Sequence, residues 1–413
     1  MITNKLIYPV EILHIVDESG ELIMEGSIME KPDFLIKNVT DYYSNLEIDS
    51  FANMLKDPSS CYKFYWLEAI VNIVNQNISK TTIGEIINEM ISNAWYSVVE
   101  HHIHLSGFVK GEVVDGLERA VAHLSQLSSL PSSASKSEIM EALKIHEREL
   151  REEKTQLSYM VPYRALSGFF YKHNARVNWE NKTQLIEYIR YFNNSVRLPY
   201  IFGDGSSINR EVIFDHEWIR MINDNAVEIL GWIQYEKMKW LQNNNPEVPG
   251  LVYKLKPGEN VRKMERVRDL WNGIIKYSEI QDVYTKKAID PNNYELDHFV
   301  PWSFVMNDEL WNLIPMDSSL NSAKSNNLPL WGSFFGGFAN NQFIMYELIH
   351  QKNDIFVLFE KCYKDNLHSI WASQELYQRG NSKEEFIRIL SNNMRPVYDS
   401  ALRQGYKLWQ FET

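Results

Sequence analysis

Apolar residues recur at helical spacing along most of the chain. Ile83, Ile86, Ile87, Met90, Ile91 and Ala94 fall on one face of a helix. Thr82 and Glu85 stand just ahead of that run as a capping box, Thr82 at N-cap and Glu85 at N3. Ser135 and Glu138 form a second box, which opens a charge-dense helix running to Lys154 whose Glu147, Arg148, Glu149 and Arg151 sit on a solvated face. Periodicity returns over residues 217–243, with Trp218, Ile219, Ile229, Ile233 and Trp240, and is broken by the Asn- and Pro-rich run from Asn243 to Gly250. After residue 338 the chain reads as helical to its end, with Phe356, Leu358, Phe359 and Cys362 on one helix and Phe386, Ile387 and Leu390 on another.

Extended patterns are few. Leu6 to Val16 mixes β-branched residues with a Pro, Glu18-Ser-Gly20 reads as a turn, and Leu22-Ile23-Met24 follows. Gly203-Asp204-Gly205-Ser206 is a turn with the composition of a hairpin tip and lacks the strand-then-helix setting of a phosphate loop. Two more strands flank residues 302–311: Leu296 to Pro301, and Asn312 to Met316. The expected fold is therefore mostly α, with a short β region at the N-terminus and a small α+β unit near residue 300.

The Ser-rich run 124–136 and the break at 243–250 divide the chain into regions 1–130, 131–249, 250–338 and 339–413. Composition narrows the classes. Apolar residues at 44% and charged residues at 23% are those of a soluble globular protein. Cys61 and Cys362 are the only cysteines, too few for a four-thiolate zinc site or a disulfide framework, and a reducing cytoplasm is the simplest setting. The N-terminus lacks a basic segment followed by an apolar run, so no secretory signal is expected. The longest uncharged stretch, Ser325 to Tyr346, is interrupted by Asn, Gln and Gly and makes a poor membrane span. A net charge of -12 counts against a broad non-specific nucleic-acid surface, which needs Lys and Arg to neutralise phosphate.

The chemistry concentrates in residues 294–329. Asp297 and His298 place a carboxylate beside an imidazole on the first strand. Asn312 opens the second strand, and Asp317 or Ser318 then caps a short helix on which Asn321 and Lys324 share a face. Strand, loop, strand and helix fold into a compact ββα unit. Phosphodiester hydrolysis needs these groups. A neutral imidazole is a suitable base for water at neutral pH. Oxygen ligands from Asp and Asn suit a hard cation such as Mg2+, and a lysine stabilises developing charge.

These residues resemble the HNH (ββα-metal) endonuclease superfamily, and most closely the HNH domain of CRISPR-associated RNA-guided nucleases. The likeness rests on Asp297-His298, Val300-Pro301-Trp302-Ser303-Phe304, Asn312, and the run Asn321-Ser-Ala-Lys324-Ser325-Asn-Asn327-Leu328-Pro329. It implies Asp297 and Asn321 as ligands of one Mg2+ or Mn2+, His298 as general base, Asn312 as the residue that orients the base, and Lys324 as a phosphate contact. It implies DNA as substrate, with a 5′-phosphate and a 3′-hydroxyl as products, although an RNA phosphodiester presents the same chemistry. Many HNH domains carry cysteine pairs for a structural zinc; the equivalent turn here, Asp282 to Lys287, has none, so no structural zinc is expected. The RNA-binding and RuvC-like parts of the RNA-guided enzymes are absent. The flanks resemble bacterial stand-alone HNH proteins, often found among restriction or anti-phage genes. That association raises a second possibility, an effector subunit whose N-terminal region binds a partner such as a sensor or ATPase.

Other candidates weigh less. Asp215-His216 has no Asn series after it and reads as surface. His101, His102 and His104 follow a helix end, where a positive charge is favoured, more simply than they form a metal site. Residues 251–276 hold seven basic residues; Arg262 and Arg266 lie i,i+4 on an expected helix, and with Lys263 they are candidate DNA-backbone contacts. Intrahelical ion pairing explains the same pattern equally well.

Overall fold

The computed structural model describes residues 12–16, 22–27, 42, 45–55, 58, 60–106, 108–109, 112–113, 115–174, 176–258 and 262–411. Strands β1 (Ile12–Val16) and β2 (Leu22–Ser27) pair antiparallel, so the N-terminal β region forms as expected. The expected turn at 18–20 and residues 6–11 lie outside the described residues. Helix α1 (Tyr62–Val74) follows, then β3 (Lys80–Thr82) and α2 (Ile83–Val99). The capping box forms at the β3–α2 junction: Glu85 N–H donates to Thr82 Oγ1 at 3.2 Å, and Thr82 N–H to the Glu85 carboxylate at 2.9 Å. The apolar stripe of α2 is fully buried.

Helix α3 (Gly116–Ser128) leads to α4 (Lys136–Ile145), whose Ser135–Glu138 box is also complete. The single charged helix expected to reach Lys154 is two helices: turns at residues 146–150 separate α4 from α5 (Arg151–Arg164). Strands β4 (Tyr200–Phe202) and β5 (Glu211–Phe214) pair antiparallel around the Gly203–Ser206 turn. Gly205 takes φ +95 there, and an added Cβ would meet the Asn209 carbonyl at 2.3 Å, so only glycine fits. The sheet order is β3–β5–β4.

Helices α6 (His216–Asp224) and α7 (Ala226–Asn244) come next, then α8 (Glu265–Ile275). The hairpin β6 (Tyr294–His298) and β7 (Leu313–Asp317) is followed at once by α9 (Ser318–Lys324). Three long helices end the fold: α10 (Trp331–Gln351), α11 (Asn353–Asn366) and α12 (Lys383–Arg403). The chain is mostly helical with few short strands.

Two compact units emerge, each from separated stretches: Met1–Met90 with Lys154–Lys237, and Ile91–Glu153 with Met238–Thr413. The first holds the three-stranded sheet. Its core includes Trp66, whose indole N–H donates to Tyr200 Oη at 3.0 Å, and a buried ion pair between Lys237 and Glu68 at 2.7 Å. The second unit carries the β6–β7 hairpin on a bed of aromatic side chains. Phe299 packs on Phe338 with ring centroids 4.6 Å apart, and Gln342 of α10 donates to the Leu313 carbonyl at 2.8 Å. Those contacts fix the hairpin against α10.

Candidate active site

The register of the hairpin sets the site. Asp297 pairs with Ile314 and His298 with Leu313, so the carboxylate and the imidazole lie at the end of β6 where the chain turns away. Asp317 accepts from Ser319 N–H at 2.9 Å and starts α9, as the sequence indicated. Asn312 is completely buried. Its side-chain oxygen accepts from Val300 N–H at 2.8 Å and its amide donates to the Val300 carbonyl at 2.8 Å. The resemblance implies that Asn312 orients the imidazole by a hydrogen bond. Instead it clamps the backbone two residues beyond His298, because its side chain crosses the hairpin to an otherwise unpaired peptide. It constrains the base through the chain.

Asp297 is 5% exposed and Lys324 1%. The Lys324 ammonium reaches back from α9 to Asp297 Oδ1 at 2.9 Å and to the His298 carbonyl at 2.8 Å. Lys324 is thus no free phosphate contact here; a buried carboxylate needs a counter-charge, and this ammonium supplies it. The other carboxylate oxygen, Oδ2, accepts from Tyr284 O–H at 3.0 Å. Burial, then the neighbouring Asp297 charge, pushes the Tyr284 phenol well above its usual range, so it remains a donor. Asn321 lies on α9 three residues before Lys324.

His298 is 4% exposed, and its partners are different. Nε2 faces Asp308 Oδ1 at 3.1 Å, and Nδ1 faces the Arg262 guanidinium at 3.4 Å. Burial lowers its pKa most, against the raising effect of Asp308. Burial works upward on Asp308, but hydrogen bonds from His298 and from Lys263 N–H outweigh it and hold that carboxyl below its ordinary value.

The basic strip is occupied. Helix α8 begins at Glu265, so Arg262 precedes it rather than lying on it. Arg262 approaches Asp308 at 3.8 Å and stacks over Trp302, its guanidinium carbon 4.8 Å from the ring centre. Lys263 and Arg266 both pair with Asp365 of α11 at 2.8 Å. The ion-pair alternative to free DNA contacts is therefore the one realised, with partners at Asp308 and on α11 instead of within α8.

The turn where many HNH domains place cysteines is organised by Asp282. Its Oδ1 accepts from Tyr284 and Thr285 N–H at 2.9 and 2.7 Å, and its Oδ2 from Asp317 N–H at 2.8 Å. One carboxylate thus ties the turn to the end of β7.

Asp282, Tyr284 and Asp308 were not singled out in the sequence. Acids in turns and a tyrosine in a mostly polar stretch look ordinary there; only the ten-residue offset of Asp308 from His298, across a turn, hinted at proximity. Asp215 caps α6, and His216 is exposed, in keeping with a surface reading. His101 is no charged helix cap. It is buried, its Nδ1 donates to the Ser303 carbonyl at 2.8 Å, and burial pulls its pKa down to about 4. Among the described residues no group of three His, Cys, Asp or Glu side chains is arranged to hold a metal.

Among the described residues, no helix is long and apolar enough to cross a membrane. No curated protein and no solved structure matches the chain. Residues 282–330 match a family model described as HNH endonuclease. That span opens at the Asp282 turn, takes in the hairpin and α9, and closes beside Leu328, whose backbone pairs with Lys407 and Trp409. This part of the chain belongs to the HNH endonuclease superfamily.

Proposed function

We propose that this HNH-type nuclease hydrolyses DNA phosphodiester bonds with one Mg2+ or Mn2+, His298 acting as general base. The observation that carries the reading is the end of β6, where a buried carboxylate and a buried neutral imidazole stand next to each other in the sequence while taking separate partners. The donor set fits a hard cation. Asp297 already faces a positive charge, the Lys324 ammonium, which stands where a cation would, and Asn321, three residues before Lys324 on α9, is the second ligand expected from the sequence. When bound, the ion would offset negative charge building on the scissile phosphate and the leaving oxygen. Tyr284 orients the carboxylate. Asn312 holds the turn that carries the base. His298 takes the water proton, and the expected products are a 5′-phosphate and a 3′-hydroxyl. Lys324, once released from Asp297, is within the same site as a charge for the phosphate.

DNA phosphates would compete with Asp308 and Asp365 for Arg262, Lys263 and Arg266. Because those cations are already paired in an acidic chain, we infer weak affinity for DNA alone, with a partner protein such as a sensor or ATPase adding to it. The test is plasmid cleavage with Mg2+ or Mn2+ by the wild type and by His298→Ala. The expected result is cleavage that EDTA and the substitution both abolish, a loss of roughly 100-fold or more for a missing general base. Equal cleavage by both proteins would remove His298 from the mechanism.

A further inference from the structure

We propose that Asp308 is the positioning residue of the general base, fixing His298 with its proton on Nε2 and its lone pair on Nδ1, and that Arg262 covers that lone pair until substrate draws the guanidinium away. The inference rests on His298 being the base.

The partners determine the tautomer. A carboxylate only accepts, so the 3.1 Å contact with Asp308 requires a proton on Nε2. A guanidinium only donates, so the 3.4 Å approach of Arg262 requires a lone pair on Nδ1. Both requirements select the same neutral imidazole. Asp308 itself has little freedom. Its Oδ2 accepts from Lys263 N–H at 2.9 Å, and its carbonyl accepts from Asn366 of α11 at 2.8 Å. Asn366 also donates to the Lys263 carbonyl at 2.9 Å, closing a ring between the segment before α8, the turn after β6 and the end of α11.

The proton balance follows. Nδ1 takes a proton from the attacking water as its oxygen bonds to phosphorus. The bond from phosphorus to the 3′ oxygen breaks, and solvent supplies the proton to that oxygen. The imidazolium formed keeps its Nε2 proton directed at Asp308, whose charge stabilises it without becoming protonated, the role a buried aspartate plays in a hydrolase triad. In the resting arrangement the Arg262 guanidinium occupies the side of Nδ1 that the water needs. It is also a short reach from phosphate, and charge-assisted pairing with a phosphate oxygen is stronger than a long contact to a neutral imidazole.

The test uses the full chain labelled with nitrogen-15 histidine. Two-bond proton–nitrogen spectra report which ring nitrogen is protonated, and loss of the signal in His298→Gln assigns it. The wild type should show Nε2 protonated. Asp308→Ala should give a tautomer mixture and a kcat lower by roughly 10- to 100-fold, with KM within about twofold. Asp308→Asn, whose amide oxygen still accepts from Nε2–H, should keep the tautomer and recover part of kcat. A wild-type proton on Nδ1, or an Asp308→Ala protein with tautomer and kcat unchanged, overturns the proposal; so does a defect confined to KM. If Asp308→Ala does not fold, the tautomer and kcat of Asp308→Asn decide. Cleavage undiminished in His298→Ala overturns the general-base reading, whereas the spectra test the Asp308 contact by itself.

Discussion

Two buried histidines of the same unit show how environment separates roles. His298 sits between a carboxylate and a guanidinium. His101 has Nδ1 on the Ser303 carbonyl and no hydrogen-bond partner for Nε2 among the described residues, and burial outweighs the Ser303 carbonyl and the Glu100 charge, which favour protonation. Unfolded, an imidazole takes its proton near pH ~6.5; folded, His101 does so only near about 4. Between those values the unfolded state binds more protons, so the His101 contribution is complete above pH ~6.5 and lost as pH falls towards 4. The loss amounts to about 3 kcal/mol. His101→Asn keeps a donor for Ser303 but does not titrate. Denaturant melts from pH 7 to 4 should show a shallower decline for the variant by that amount; parallel curves would mean the site protonates without strain. Tyr284 allows a second residue-scale prediction. Tyr284→Phe removes one hydrogen bond to Asp297 and nothing else. Mn2+ affinity, read by electron paramagnetic resonance, should weaken roughly tenfold, with a stability loss of about 1 kcal/mol. Unchanged affinity would leave Tyr284 as packing alone.

At the scale of elements, the hairpin depends on Asn312 more than on its length. Asn312→Ala strands both the N–H and the C=O of Val300 in the interior, at a cost of about 2–4 kcal/mol. Asn312→Asp keeps the acceptor for Val300 N–H but sets a buried carboxylate oxygen against the Val300 carbonyl, so thermal melts at neutral pH should show a loss at least as large as that of Asn312→Ala. An Asn312→Asp protein as stable as the wild type would show that the contact to the Val300 carbonyl does not matter. This hairpin was legible because its residues carry local signals: a short apolar run over Leu313–Met316, Asp317 as a cap, and a fixed order of Asp, His and Asn. The boxes at Thr82 and Ser135 were legible for the same reason, since a cap is read from four consecutive positions. Partners from distant segments were not. Nothing near Asp308 announces that Lys263 and Asn366 will hold it, and nothing near Arg262 says that α8 starts three residues later. Lys324 carried the right chemistry in sequence, but its destination depends on Asp297 being buried, a fact of tertiary packing. The charged run to Lys154 had helical composition throughout, and the break at 146–150 left no Gly or Pro to mark it.

At the scale of the whole molecule, the proposed DNA binding has to contend with charge. The chain carries -12, yet a short basic strip leads into the HNH segment. Arg262, Lys263 and Arg266 belong to that strip, and each already has an acidic partner. Exchange of an aspartate for a phosphate conserves the number of ion pairs, so affinity gains little from Coulomb energy and more from release of counterions at the DNA. Three neutralised phosphates give a slope of log K against log salt near -3, shallow beside that of proteins with dedicated DNA surfaces. Fluorescence anisotropy on a short duplex, with Ca2+ in place of Mg2+ to suppress cutting, measures that slope directly. Double charge reversal at Arg262 and Arg266 should lower it in magnitude by about 2 and weaken binding at every salt concentration. A slope unchanged by the reversal would place the DNA on another surface, and a slope several times steeper in the wild type would mean that cations elsewhere in the acidic chain gather the substrate without help from a partner.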